Sequence, residues 1–309
     1  MFSFGDSVAE TGNICVVSSV NATELDALTC THRPYGITYF GRPSCRWCDG
    51  RIVVDFIAQS LGLPLLPPSK SKGKDFSRGA NMAITDPVWN HGSLSVQIQW
   101  FEKLIPSICA TKRNCKEFLA KSLFQFGGFG GNDYNVQLLE LGLTIEQAKR
   151  LIALGALHIV VPGILPTGCL PLFLTLFTDD ELDQYGCLKR FNRLTEYHNS
   201  MLRKQLQILQ GKHRSTRIMY ADYYSQVYHM VQQPKKFGLS NPFEACCGAG
   251  GGKYNFDLSA RCGMTGATTA CRNRSARLSW DGVHPTEAAN KMIADAWLNG
   301  PYCTPPILS

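Results

Sequence analysis

No apolar run in the 309-residue chain reaches the ~18 residues of a membrane span, so no integral membrane helix is expected. No internal repeat is evident, which sets aside solenoids and propellers. Excess positive charge is small: 31 Lys and Arg against 24 Asp and Glu leave +7. Apart from short clusters such as Lys70-Ser71-Lys72-Gly73-Lys74 the cations are dispersed, so no nucleic-acid-binding face is expected. Metal-ligand pairs are equally scarce. Cys45 and Cys48 have zinc-like spacing, and no second Cys or His pair accompanies them. No metal and no cofactor are expected.

Cysteine, in contrast, is plentiful. Thirteen of them point to an oxidising compartment. The sequons Asn21-Ala22-Thr23 and Asn273-Arg274-Ser275 make Asn21 and Asn273 glycosylation candidates. Met1 abuts the first expected strand, with no charged n-region, apolar h-region or cleavage site before it. The expectation is that a leader has been trimmed or lost and that the protein is secreted or vacuolar. Cys45-Arg46-Trp47-Cys48 has redox-motif spacing but precedes the turn Asp49-Gly50 and opens no helix, so a structural or unpaired role is expected. Adjacent Cys246 and Cys247 are expected to bond other partners, with Cys262 and Cys271 nearby.

The hydrophobic fraction, 44%, suits a globular protein, and no composition break marks a boundary. A single domain over residues 1–309 is expected. Strands are predicted to begin near Phe2, Asn81, Ser122, Leu157 and Arg217. Between them, helical periodicity covers Ile52 to Leu61 and Leu94 to Ile105, where Pro106 should end or kink the helix. Thr144 with Gln147, and Thr178 with Glu181, have capping-box spacing for helices to about Leu154 and Gln210. Pro285 should open a last helix to about Asn299. Cys15 to Gly50 is polar and aperiodic, and reads as a long loop partly covering the first turn. Strands alternating with helices predict an α/β fold around a five-stranded parallel sheet.

The chemistry is concentrated at the two ends of the chain. Phe2-Ser3-Phe4 runs into Gly5-Asp6-Ser7, which places a serine beyond a strand's carboxyl end, where open parallel sheets put their active sites. A serine hydroxyl needs a base. Asp281-Gly282-Val283-His284-Pro285 supplies one: the carboxylate three residues before His284 can accept Nδ1–H and leave Nε2 for Ser7. The Ser7 N–H and the Asn132 side-chain amide, in the glycine-rich stretch after the third strand, are candidate oxyanion donors. His32, His91, His158, His198, His213 and His229 lack a comparable neighbouring carboxylate; His158 and His198 read as packing residues.

With these residues in place, the chain resembles the plant GDSL esterase/lipase family of SGNH hydrolases over nearly its whole length. Phe4-Gly5-Asp6-Ser7 is similar to the first block, with Val8 where the name-giving Leu stands. Gly130-Gly131-Asn132-Asp133 is similar to the third, and Trp280-Asp281-Gly282-Val283-His284-Pro285 to the fifth. Weaker similarities are Arg33-Pro34-Tyr35-Gly36, Asp49-Gly50-Arg51, Val160-Val161-Pro162-Gly163 and Cys246-Cys247-Gly248. The resemblance implies a three-layer, flavodoxin-like α/β/α sandwich and ester hydrolysis through an acyl-serine, with Ser7, Asp281 and His284 catalytic and Asn132 an oxyanion donor. Asp75-Phe76-Ser77 and Leu94-Ser95-Val96-Gln97 lean towards the subgroup acting on acetylated or aromatic small-molecule esters.

One departure concerns the second block, whose Gly follows a strand similar to Asn81-Met82-Ala83-Ile84 and donates to the oxyanion. Here Thr85-Asp86-Pro87 follows, as a short deletion would leave it, and Gly79 precedes the strand. Loss of such a donor lowers kcat by ~10²–10³. Two alternatives accompany the esterase: an acyltransferase, which the same triad would serve, and, because of this departure, an impaired paralogue that binds an ester without turning it over. The expected partner is a small-molecule ester, and the expected state a monomer.

Overall fold

In the computed structural model, which describes residues 1–19, 21–85, 92–127 and 137–309, the chain builds a central sheet flanked by helices. The parallel strands are β1 (Phe2–Phe4), β2 (Ala80–Asn81), β3 (Leu123–Phe126), β4 (His158–Pro162) and β5 (Arg217–Ala221), arranged β2-β1-β3-β4-β5. A sixth, antiparallel edge strand, Cys303–Thr304, pairs with β5. The sheet is thus not purely parallel. A two-residue strand near a chain end carries no periodicity that a sequence reading can detect. From β1 the chain steps to β2 on one side, then returns to β3 on the other. That reversal opens a crevice beyond the carboxyl end of β1, and Ser7 lies there.

Successive strand side chains point to opposite faces. Phe2 and Phe4 join Phe101, Phe124 and Phe126 on one face, with ring centroids 4.9 Å apart for Phe2–Phe101 and 5.5 Å for Phe4–Phe126. Helices Leu94–Ile108, Gln137–Leu154 and Lys189–Lys212 cover that side. Val160, Met219 and Ala221 meet helices Val53–Ser60, Tyr223–Gln232 and Glu287–Asn299 on the other. This gives the three layers.

Several expected boundaries move. Pro106 lies inside the Leu94–Ile108 helix, in its last turn, and does not end it there: it withdraws one N–H from the ladder, and the Cys109 N–H still reaches the Ile105 carbonyl at 3.1 Å. Thr144 and Gln147 are interior to Gln137–Leu154, and the Gln147 amide donates across to Ser95 Oγ (3.1 Å) instead of capping. Thr178 and Glu181 start no helix. Cys169–Cys187 ties that loop back, Glu181 pairs with Lys189, and the helix begins only at Lys189. His158 opens β4 half-buried, while His198 is buried on the Lys189–Lys212 helix.

Ten cysteines form Cys15–Cys45, Cys109–Cys115, Cys169–Cys187, Cys246–Cys271 and Cys247–Cys262. Cys45 and Cys48 are not a redox pair: Cys45 bonds Cys15, and Cys48 is a buried thiol, as are Cys30 and Cys303. The segment read as a loop from Cys15 carries the short helices Asn13–Ser18 and Ala22–Ala27 and a single turn at Thr29–Thr31.

Candidate active site

The turn after β1 is clamped from both sides. A Cβ on Gly5 would meet Ala9 Cβ at 2.8 Å and the Gly127 carbonyl oxygen at 2.9 Å, so the close approach requires glycine. Buried Gln97 holds the same peptide: its Oε1 accepts the Gly5 N–H (3.0 Å), and its Nε2 donates to the Gly5 and Gly92 carbonyls, each at 2.9 Å. Asp6 Oδ1 accepts the Val8 N–H (3.1 Å). Burial pushes the Asp6 carboxyl up to about 6, against the pull of that N–H and of His284. Ser7 is buried, and its N–H has no acceptor among the described residues.

The second half of the site is a loop folded on itself. Its base is closed by the Trp280 N–H on the His284 carbonyl (2.7 Å), and Ser279 Oγ accepts the Gly282 N–H (3.0 Å). Gly282 has φ 97°, and a Cβ there would strike the Phe256 ring at 2.3 Å. Asp281 Oδ1 accepts the N–H groups of Val283 (3.0 Å) and His284 (2.9 Å). Its Oδ2 accepts His284 Nδ1–H (2.7 Å) and the Tyr35 hydroxyl (2.8 Å). Because a carboxylate only accepts, the imidazole proton belongs on Nδ1 and the Nε2 lone pair faces Ser7 Oγ at 2.8 Å. Burial alone would raise Asp281, but the His284 charge and the hydrogen bonds outweigh it and hold the carboxyl below its ordinary range.

The structure therefore brings Ser7, His284 and Asp281 into one hydrogen-bonded line, although 277 positions separate Ser7 from His284. Asn132 lies outside the described residues, as do Asp86 and Pro87. No group of three potential metal ligands occurs among the described residues.

Three further residues complete the surroundings. Tyr35 and Gln97 lie in stretches that carry only a family resemblance, and nothing local to either encodes its contacts. Trp47 gave no signal beyond its place between two cysteines, yet its indole lies against the His284 ring, centroids 5.5 Å apart and planes 27° off parallel. Asp49 and Arg51 hold the last helix: Asp49 Oδ1 accepts the Glu287 N–H (2.7 Å), and Arg51 pairs with Glu287 (2.7 Å).

A cleft of about 420 Å³ opens over Ser7, floored by Asp6 and walled by Ile164, Leu165, Leu170 and Val283. A second hollow of about 340 Å³, behind His284, shares Leu165, Leu170 and Val283 with it. Both are lined mainly by apolar side chains, and both volumes include space open to solvent.

Glu10 is buried close by and accepts the N–H groups of Ile14 (2.5 Å) and Thr85 (2.6 Å) and the Thr85 hydroxyl. Burial pushes its carboxyl up to about 7, although these bonds oppose the rise. Between its unfolded value near 4.5 and about 7 the native state holds a proton that the unfolded chain has released. Stability should therefore fall as pH rises through that window, by up to about 3 kcal/mol. Urea midpoints at pH 4.5 and 7.5 check this: Glu10→Gln should show a smaller decline than wild type, and equal declines would refute it.

The GDSL-like Lipase/Acylhydrolase family model matches residues 1–297. GDSL esterase/lipase At1g28670 of Arabidopsis thaliana is 40% identical over 99% of this chain and 87% of its own length. GDSL esterase/lipase At1g28600 of the same plant is 38% identical over 99% and 85%, and sinapine esterase of Brassica napus 38% over 99% and 86%. The At1g28600 match spans 340 aligned positions against 309 residues here, so that relative carries at least 31 residues without a counterpart in this chain. On the strength of these matches the chain belongs to the GDSL-like lipase/acylhydrolase family, and it is a carboxylic ester hydrolase.

Proposed function

We propose that the protein is a serine esterase acting on small-molecule esters with acetyl or aromatic acyl groups, through an acyl-Ser7 intermediate. The unbroken Ser7–His284–Asp281 line carries the reading. His284 Nε2 takes the Ser7 proton as Oγ attacks the ester carbonyl, while Asp281 keeps the imidazole in the Nδ1–H form. The Ser7 N–H is the proposed donor to the developing oxyanion, and the Asn132 side-chain amide, outside the described residues, is proposed as a second. His284 then returns the proton to the departing alcohol, and water attacks the acyl-serine by the same route. The limited apolar cleft supports a short or flat acyl group, as does similarity to a protein named sinapine esterase. We further propose that residues 1–309 form one catalytic unit, secreted or vacuolar, with Asn21 and Asn273 glycosylated; both asparagines are exposed, and five disulfides support the compartment.

The test is an acyl-length series of p-nitrophenyl esters together with active-site labelling. A fluorophosphonate should inactivate the enzyme stoichiometrically and mark the Ser7 peptide. kcat/KM should fall at least about tenfold from acetate or a cinnamate-type ester to palmitate. Labelling at another serine, or a preference for palmitate, would reject the respective part of the proposal.

A less efficient hydrolase is a second reading, favoured by one observation. Immediately after β2, where a further oxyanion donor would be supplied, the Ile84 N–H goes to the Gly5 carbonyl and the Thr85 N–H to Glu10. Neither is free to face an oxyanion.

A further inference from the structure

The His284 ring is fixed along its edges by Asp281 and Ser7, and over one face by Trp47. The indole does not stand alone. Tyr35 packs edge-on against it (6.1 Å, 86°) and against Trp280 (5.8 Å, 77°), while the Tyr35 hydroxyl donates to the same Asp281 oxygen that receives His284 Nδ1–H. The two residues just before Trp47 are anchored: Cys45 is bonded to Cys15, and Arg46 forms a buried two-pronged pair with Asp55 at 2.7 and 2.8 Å. These covalent and ionic ties hold the segment from which Trp47 reaches His284.

We propose that Trp47 is a positioning residue for His284, holding the plane of the imidazole and stabilising the imidazolium that forms when Ser7 gives up its proton. The inference rests on the serine-esterase reading. Two physical effects are involved. An imidazole held only by in-plane hydrogen bonds at its edges can still tilt about the line joining them, and a stacked indole restrains that tilt, which keeps Nε2 aimed at Ser7. The electron-rich face of an indole also attracts a cation lying over it, more strongly than the face of a phenyl ring and far more than an aliphatic side chain. Both effects are worth more in the transition state, where His284 is charged, than in the resting enzyme, so they act on kcat.

Other groups also set the charge around His284, and Glu10 among them interacts with Trp47 itself. Asp281 lies on its own loop, Asp6 on the turn after β1, and Glu10 beside the indole. Tyr35 and the Cys30 thiol approach Asp281 from the segment that also bears Trp47. Trp47→Phe and Trp47→Leu both remove the contact to Glu10, so the difference between those two variants reports on the π face.

The experiment measures kcat and kcat/KM for p-nitrophenyl acetate from pH 5 to 9 in wild type, Trp47→Phe, Trp47→Leu and Ser7→Ala, with circular dichroism and thermal melts as a check of folding. Trp47→Leu should lower kcat about tenfold, leave KM within about twofold, and move the acidic limb of the kcat/KM profile down by about half a pH unit. Trp47→Phe, which keeps a π face, should lie between leucine and wild type in both measures. A folded Trp47→Leu with an unmoved acidic limb would overturn the proposal, and so would equal losses in the two variants. Should Trp47→Leu fail to fold, Trp47→Phe decides: a downward limb supports the proposal and an unmoved one overturns it. A folded Ser7→Ala that keeps kcat within tenfold of wild type would instead strike at the serine-esterase reading itself, a result distinguishable from any Trp47 outcome.

Discussion

Ser7→Ala is expected to lower kcat for p-nitrophenyl acetate by about 10⁵–10⁶-fold while the protein remains folded. The Ser7 side chain makes a single described hydrogen bond, to His284 Nε2 at 2.8 Å, and is otherwise turned to the cleft. Alanine removes the nucleophile without disturbing what shapes the turn, since Gly5, Gln97 and the Asp6–Val8 bond all act through atoms that remain. Leaving Nε2 without its partner should cost about 1–2 kcal/mol at most, because water in the cleft can replace the hydroxyl. Hydrolysis should not vanish. Oxyanion donors and substrate binding still supply roughly 10³–10⁴-fold over water when a nucleophile is removed. The measurement is steady-state turnover beside a denaturation curve: a folded variant within tenfold of wild type would remove Ser7 from the mechanism.

What was legible in the sequence differs by kind of element. β4 and β5 are buried runs that read as strands from composition alone, and both form where expected. Ser7, Asp281 and His284 were legible because each sits in a short local pattern, Gly-Asp-Ser or Asp-x-x-His, whose geometry is fixed by two or three neighbouring peptides. Capping-box spacings fared worse. Thr144–Gln147 and Thr178–Glu181 have the right residues, but tertiary contacts, Gln147 to Ser95 and the Cys169–Cys187 tie, decide where those helices begin.

Contacts between distant segments were the least legible. Tyr35 reaches Asp281 across 246 positions, and Gln97 reaches Gly5 across 92. Nothing local to Tyr35 encodes its acceptor, and nothing near Trp47 encodes the ring against which it lies. These contacts exist because the sheet order places β1 at the reversal point while the last helix brings the His284 loop over it. The disulfides lie between the two cases: Cys246 and Cys247, being adjacent, had to seek other partners, and they find Cys271 and Cys262.

Asp281→Asn should lower kcat by about 10⁴-fold, although it replaces one oxygen with a nitrogen of nearly the same size. The hydrogen bonds settle which atom changes. Oδ1 accepts two backbone N–H groups, from Val283 and His284, so it must remain the carbonyl oxygen of the amide. The NH₂ then occupies the place of Oδ2, facing His284 Nδ1 at 2.7 Å and the Tyr35 hydroxyl at 2.8 Å. Tyr35 can rotate its proton and accept. His284 can accept only by moving its own proton to Nε2, and that tautomer presents Ser7 with a donor instead of a base. The loop geometry survives while the reaction loses its proton acceptor. Stability should change with pH in a defined sense. The Asp281 carboxyl is held below its ordinary range, so its stabilising contribution is present above the unfolded value of 3.8 and is lost as pH falls through the depressed one. The stability difference between wild type and Asp281→Asn should accordingly shrink in acid. Turnover at pH 7.5 and urea midpoints between pH 2.5 and 7 check both halves: a kcat within tenfold of wild type would dismiss the orienting role, and a constant stability gap would dismiss the electrostatic one.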